Sequence, residues 1–262
     1  VTSSPVTFRR VLASEAGKMT SVPTLRWTVP GCVASAAGTA FGLSLFARPG
    51  GGATGASLAV AGYVLAQVGF LALGVTAGSE EFRTKLAYVT FVAVPRRLSV
   101  LAAQAVVTAV LAFAAAVVAL VVSIAATAAQ RDALGIPLNL ADAGTVRMLA
   151  GFVLYQTAIT LVGLGLGALL RRPAGALVTA VVGVVVLDQF LAMNPGRLTD
   201  TVRAFLPGTG VRLLTGDDRL AALDAASSGP HLETWAAGLL VAGWATVLLA
   251  AAATRLRRGD IA

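Results

Sequence analysis

Charge is scarce in this chain. Asp, Glu, Lys and Arg make up 12% of its 262 residues, where a soluble globular domain carries roughly 25%. Lysine is nearly missing, with Lys18 and Lys85 the only two, and neither follows a G-x-x-x-x-G-K-[ST] loop. The sequence therefore offers no P-loop for ATP. The single cysteine, Cys32, lies inside an apolar run, which excludes an intrachain disulfide or a cysteine-based metal site and reads as a small hydrophobe. The single histidine, His231, rules out a histidine-rich metal centre. Neither a G-x-S-x-G elbow nor H-E-x-x-H occurs, so the hydrolase classes those motifs mark are not represented. No enzyme activity, metal or bound cofactor is expected on this chain.

Apolar sequence is abundant: 57% of residues are hydrophobic and the mean hydropathy is +0.84. Several runs reach the roughly 20 residues a helix needs to cross a bilayer. They are continuously apolar, whereas barrel strands alternate with period two. The expected fold is an all-α polytopic membrane protein, a single transmembrane domain over 1–262. Six spans are predicted, near 28–46, 56–77, 98–129, 148–170, 174–193 and 235–253. The third exceeds one bilayer thickness and is expected to tilt or project. No internal repeat is visible, which weighs against transporter folds built on inverted repeats.

The net charge of +8 does not form a nucleic-acid-binding patch, because the basic residues sit in small groups at the ends of apolar runs. Thirteen of the twenty lie in the N-terminal segment, the link at 78–97, the Arg171-Arg172 turn and the 254–262 tail. The other side carries seven, matched by seven acids. The positive-inside rule places the first side in the cytoplasm, with both termini inside a bacterial cytoplasmic membrane. The first 27 residues hold no apolar core, so the first span is expected to act as the insertion signal. Val1 in place of Met fits a GTG start in a high-GC bacterium.

Two segments read as helices lying along the membrane. In "VTFRRVLASEAGKM", Phe8, Val11, Leu12, Ala16 and Met19 recur at helical spacing, with Arg9, Arg10, Glu15 and Lys18 on other faces. Outside, the loop at 194–234 is the longest polar stretch, and "RLTDTVRAFLP" within it predicts a short amphipathic helix ending near Pro207. Asp188 is the one acid inside a span. A charge at membrane depth costs roughly 3 kcal/mol and marks a functional candidate, although its place near the outer end also allows pairing with a loop arginine such as Arg197. Gly163, Gly165 and Gly167 lie inside an apolar span, which points to a helix–helix contact rather than a dinucleotide fingerprint. Tyr155 and Gln156 in the same span either line a pathway or cross-link helices. The Arg171-Arg172-Pro173 turn reads as a topology anchor and helix start.

The link "GSEEFRTKLAYVTFVAVPRR" joins spans two and three. Ser79 is a candidate N-cap, with Glu80 and Glu81 in the first turn beside the positive end of the helix dipole. Glu81 and Lys85 sit at i,i+4 in the favourable order. Pro95 suits the first turn of the next helix, and Arg96 and Arg97 anchor it. The pattern predicts a short helix across the cytoplasmic face.

These residues resemble the permeases of ABC-2-type transporters. Their second and third spans are joined by an acidic-aromatic-Arg stretch and a downstream Pro-Arg-Arg, here Glu80, Glu81, Phe82, Arg83, Thr84 and then Pro95, Arg96, Arg97. The opening segment is similar too, with Ser14, Glu15 and Lys18, a Thr-Ser pair and Trp27 at the first span. The family more often has Gly-Thr where this chain has Arg83-Thr84-Lys85. The resemblance implies a permease whose 78–97 segment couples to a separate cytoplasmic ATPase dimer carrying ATP and Mg. It also implies a second permease copy or a related permease as partner, an N-terminal helix at the inner membrane surface, and export of a substrate. Two other readings stand beside it: an autonomous secondary transporter using Asp188 or the Tyr155-Gln156 region, and a non-transporting accessory or immunity protein.

Overall fold

The computed structural model describes residues 8–21, 23–83 and 97–258, with side chains described over 8–17, 26–80 and 98–257. The described residues are helical, with no strand among them. Helix α1 is Phe8–Ser21 and α2 is Pro23–Ser44. A short α3, Gly55–Val60, leads almost directly into α4, Tyr63–Arg83. The longest helix, α5, spans Arg97–Ala126 and is followed by the short α6, Ala128–Ala133. Helix α7 is Ala143–Leu170, and α8, Pro173–Met193, contains a π-turn at Val182–Val186. The outer segment forms α9 at Arg197–Ala204, a 3-10 stretch at Pro207–Leu214 and α10 at Asp217–Ala226. Helix α11, Thr234–Arg258, closes the chain.

Five stretches are long and apolar enough to cross a membrane: Gly55–Glu80, Leu98–Ala126, Ala143–Leu170, Pro173–Met193 and Thr234–Arg257. They match the second to sixth predicted runs. The first run forms helix too, but α2 carries Pro30 and many Gly, Ser and Thr residues and is not among the five. At 30 residues, α5 is about 45 Å long, well over the ~30 Å of a hydrocarbon core.

Among the described residues, long apolar stripes face outward and several polar side chains are buried within an otherwise apolar core. Val106, Val110, Phe113, Val117 and Val121 form an exposed stripe along α5, and Val178, Val182, Val186 and Phe190 do the same on α8. Gln67, Gln104, Thr108, Ser123, Gln156 and Thr160 are buried instead. A soluble domain leaves only scattered apolar residues at its surface, whereas lipid solvates long apolar stripes without cost. Trp27 and Trp235 are exposed at the starts of α2 and α11, as aromatic residues are at membrane–water interfaces.

At the centre, α4 crosses α7 with backbones in near contact. A Cβ at Gly74 would overlap the Thr160 carbonyl, and one at Gly163 would overlap that of Leu71. Gly78 and Gly167 repeat the pattern one turn further on, so both helices present a small-x-x-x-small face. Gly165 lies instead against Leu248 of α11. The helix-contact reading of these glycines therefore fits the geometry. Helix α5 packs against α2 and α7.

Local signals set the helix ends. Thr54 and Ser57 form a reciprocal capping box at α3. Asp142 caps α7, its Oδ2 accepting from the Thr145 amide at 2.7 Å, so α7 begins before the predicted 148. That hydrogen bond holds the Asp142 carboxyl below the usual carboxylate range. Arg171 ends α7 with a left-handed φ of 58°, and Pro173 sits in the first turn of α8, as its fixed φ favours.

One expectation is corrected. Ser79 is not an N-cap: α4 runs unbroken to Arg83, and Ser79 is buried in its interior with Oγ donating to the Val75 carbonyl at 2.7 Å. An apolar helix with no breaker between Val75 and Arg83 continues past the membrane surface, so the acidic pair extends α4 rather than starting a new helix.

Candidate functional site

Three regions gather the chemically capable residues: a polar seam in the bundle, a braced outer layer and the inner link.

The seam consists of polar side chains buried along α4, α5 and α7. Tyr155 is fully buried and its hydroxyl donates to Gln67 Oε1 at 2.8 Å, while Gln67 Nε2 donates to the Val64 carbonyl at 3.2 Å. This bond cross-links α4 and α7, the second of the two roles open to Tyr155. Nearer the inner end, Gln104 of α5 donates to the Ala77 carbonyl at 2.6 Å. Three other buried groups have no such outlet. Both polar atoms of Gln156, and the hydroxyls of Thr108 and Ser123, lack a hydrogen-bond partner. Each is fully buried, and leaving such a group unsatisfied costs about 1–3 kcal/mol. Thr160, one turn after Gln156, is satisfied by donating to the Gln156 carbonyl at 2.8 Å. Gln67, Gln104, Thr108 and Ser123 escaped the sequence reading, because single polar residues in apolar runs give no motif. A count of polar residues at i,i+4 along α5 is the signal that finds Gln104 and Thr108.

The outer layer is tied down by arginines. Arg147 of α7 donates to the carbonyls of Leu213 and Thr215 at 3.3 and 3.0 Å and pairs with Asp217 at 2.7 Å. Arg212 clasps Asp224 through two bonds of 2.8 Å, and His231 Nδ1 lies 3.3 Å from the same carboxylate. The Arg212 hydrogen bonds hold the Asp224 carboxyl below its usual range against the opposing effect of partial burial. Trp244 Nε1 donates to the Phe205 carbonyl at 2.9 Å, and Gly210 packs so tightly on Tyr155 that a Cβ there would overlap its ring. The outer loop therefore closes over the Tyr155–Gln67 pair. The predicted amphipathic helix in this loop is α9, which presents Leu198 and Val202 to the outside.

Asp188 belongs to this layer. Its carboxylate pairs with Arg203 of α9 at 3.1 Å, so the partner is Arg203 and not Arg197. Residue 203 follows the turn at Gly196 and lies on the side of α9 that faces α8, whereas Arg197 is exposed.

On the inner side, Glu80 is half-buried near the end of α4, and Glu81, Phe82 and Arg83 form its last residues. Thr84, Lys85, Pro95 and Arg96 lie outside the described residues, and Arg97 begins α5. The N-terminal segment is helical from Phe8, with Phe8, Arg9 and Arg10 exposed. Val11 and Leu12 pack on Val100 and Ala103 at the base of α5, and Glu15 is buried. Helix α1 is thus docked on the bundle along part of its apolar face. The side chain of Lys18 lies outside the described set. At the same end, Arg255 Nη1 donates to the Leu169 carbonyl and ties α11 to α7.

No group of His, Cys, Asp and Glu among the described residues could hold a metal. No family model, curated protein or solved structure matches this chain. Five helices long and apolar enough to cross a membrane, with exposed apolar stripes, give its class, an all-helical protein with the construction of a membrane protein.

Proposed function

We propose that this chain is the transmembrane permease subunit of an ATP-driven ABC-2-type exporter. In this reading α2 is the first of six spans, both termini are cytoplasmic, and a separate ATPase dimer supplies ATP and Mg beneath two permease subunits in a bacterial cytoplasmic membrane. At 22 residues, α2 is about 33 Å long, enough to span even though it is less apolar than the others.

The observation that carries the proposal is the inner end of α4. Glu80, Glu81, Phe82 and Arg83 continue α4, and the segment returns as α5 at Arg97. A force applied at Glu81–Arg83 therefore reaches the α4–α7 body through an unbroken helix. The same segment leads in sequence to the start of α5 at Arg97. Helix α1, seated on the base of α5 through Val11, gives the cytoplasmic side a second contact with that helix. A chain lacking a P-loop but presenting such a segment is suited to take motion from another protein's nucleotide cycle.

Glu81→Ala and Arg83→Ala are expected to abolish ATP-coupled export while leaving membrane insertion and folded yield unchanged. Undiminished export in both variants refutes the coupling role.

The braced outer layer favours one other reading, a non-transporting membrane component that acts through its outer surface. That reading requires activity to vanish on deletion of 197–230 and to survive changes in the inner link. The exporter reading requires loss in both.

A further inference from the structure

Helix α9 is built inside out for a water-facing loop. Leu198 and Val202, with Phe205 just beyond, recur at i, i+4 and i+7 on one face, and that face is exposed. Leu198 is 78% exposed and Phe205 51%. The polar residues turn to the protein instead. Arg203 pairs with Asp188 at 3.1 Å, and Asp200 Oδ2 accepts from the Ser228 amide at 2.9 Å. A helix between core and water has the reverse arrangement.

The contacts of this segment fix how far it descends beside the spans. From the turn at 194–196, α9 runs back along α8: Arg203 meets Asp188, and Gly208 packs on the Val184 carbonyl. Val184 lies nine residues before the end of α8, about 14 Å along its axis. The Phe205 carbonyl accepts from Trp244 Nε1 at 2.9 Å. Trp244 lies nine residues past Trp235 on α11, again about 14 Å. Trp235 is exposed at the start of that helix, where aromatic residues mark the membrane–water interface. Two helices thus give one depth, close to half of a hydrocarbon core ~30 Å thick. Eight residues of helix, about 12 Å, nearly cover that descent. The chain then climbs again. Gly210 packs on Tyr155 and Val241, Leu213 on Gly151 and Gly238, and Thr215 accepts from Arg147.

The backbone is finished for a setting without water. The last carbonyls of a helix lack intrahelical partners. Here the Arg203 carbonyl accepts from Thr209 Oγ1 at 2.7 Å, and that of Phe205 takes the Trp244 indole. The irregular stretch at the bottom of the descent is enclosed by protein, with Pro207, Gly208 and Gly210 buried. Non-helical backbone at membrane depth is tolerated when buried in this way. The outward face of α9 also continues the exposed stripe of α8, from Val186 and Phe190 through Met193 to Leu198.

We propose that α9 is a re-entrant helix, dipping into the leaflet on the side of the 194–234 loop and returning without crossing, with Leu198, Val202 and Phe205 against lipid acyl chains. Arg197, exposed at its start, falls at the level of the headgroups. The helix descends instead of lying flat on the membrane, and the inference is independent of the exporter reading.

The test uses full-length protein carrying Cys32→Ala in phospholipid vesicles, spin-labelled at Leu198→Cys, Val202→Cys or Phe205→Cys. Val186→Cys on the α8 stripe is the lipid reference, and Ala222→Cys, exposed on α10, is the water reference. Relaxation by oxygen, which concentrates in lipid, is compared with relaxation by a water-soluble nickel chelate, which hydrocarbon excludes. The oxygen-to-nickel ratio should rise from 198 through 202 to 205, where it should match Val186→Cys and exceed Ala222→Cys several-fold. Nickel access equal to that of Ala222→Cys at all three positions overturns the proposal, because the face then meets water. One common ratio at the three positions contradicts the descent. Exclusion of both reagents overturns the lipid contact, because a second copy or another protein then covers the face. Should the variants fail to fold, wild-type protein is photolysed with a diazirine dissolved in the bilayer. Label within 198–205 as well as on α8 supports re-entry, and label on α8 alone refutes it.

Discussion

Gly74 and Gly163 carry the tightest constraint at the level of single residues. Each faces a backbone carbonyl across the α4–α7 crossing, so any Cβ forces the helices apart. Overpacking of this kind costs typically 1–3 kcal/mol. Gly74→Val and Gly163→Val should each lower the Tm in detergent, whereas Gly175→Val, at a position with open space around its Cβ direction, should not. The ion pair at the outer rim gives a second test. Asp188 and Arg203 should show a coupling of about 0.5–3 kcal/mol in a double-mutant cycle read by thermal unfolding. Asp188 and Arg197 should show almost none. Asp224 gives a pH prediction whose sign is fixed by its lowered carboxyl. A depressed acid contributes stability above its unfolded pKa of about 3.9, and that contribution is lost as pH falls through the folded value. The outer layer should therefore resist proteolysis at neutral pH and loosen in acid below about pH 4. Asp224→Asn should be looser at neutral pH and lose this part of the acid response.

At the scale of elements, the helices were legible, and so were several of their ends, such as Leu170, Pro173 and Met193, while others were not. Runs of Leu, Val and Ala announce a span whatever they pack against, so five of the six predicted runs coincide with helices long and apolar enough to cross. The ends depend on single side chains and tertiary contact. Asp142 lengthens α7 through one hydrogen bond, while Ser79 serves the interior of α4 instead of a cap because nothing around Gly78 breaks the helix. The outer segment is more ordered than its polar composition implied, since Arg147 and Arg212 reach carbonyls and carboxylates far from them in sequence. Replacing Arg147 with Leu should leave two of those carbonyls without their donor and expose the 207–226 region to hydrogen exchange, with little change in α4 or α7. Of the candidate sites, Tyr155 and Gln156 were visible as polar residues in a span. Their division into one satisfied and one orphaned group depends on Gln67, 88 positions away, and no local pattern encodes it.

For the whole molecule, a firm α4–α7 unit, an α5 helix with a polar buried face and a closed outer layer form one arrangement. The inner link joins α4 of the firm unit to α5 in sequence, so a cytoplasmic force on that link acts on both helices. The account's central claim is that this force comes from another chain's ATP hydrolysis. The measurement that tests it most directly is purification of the full-length protein from its own host in mild detergent, with its partners identified and ATP hydrolysis assayed. The account predicts a stoichiometric P-loop ATPase whose coupled turnover is lost in Glu81→Ala and Arg83→Ala while the proteins remain associated or insertion is preserved. Recovery of a folded, functional protein with no ATPase, or ATP-coupled activity indifferent to both substitutions, would contradict it.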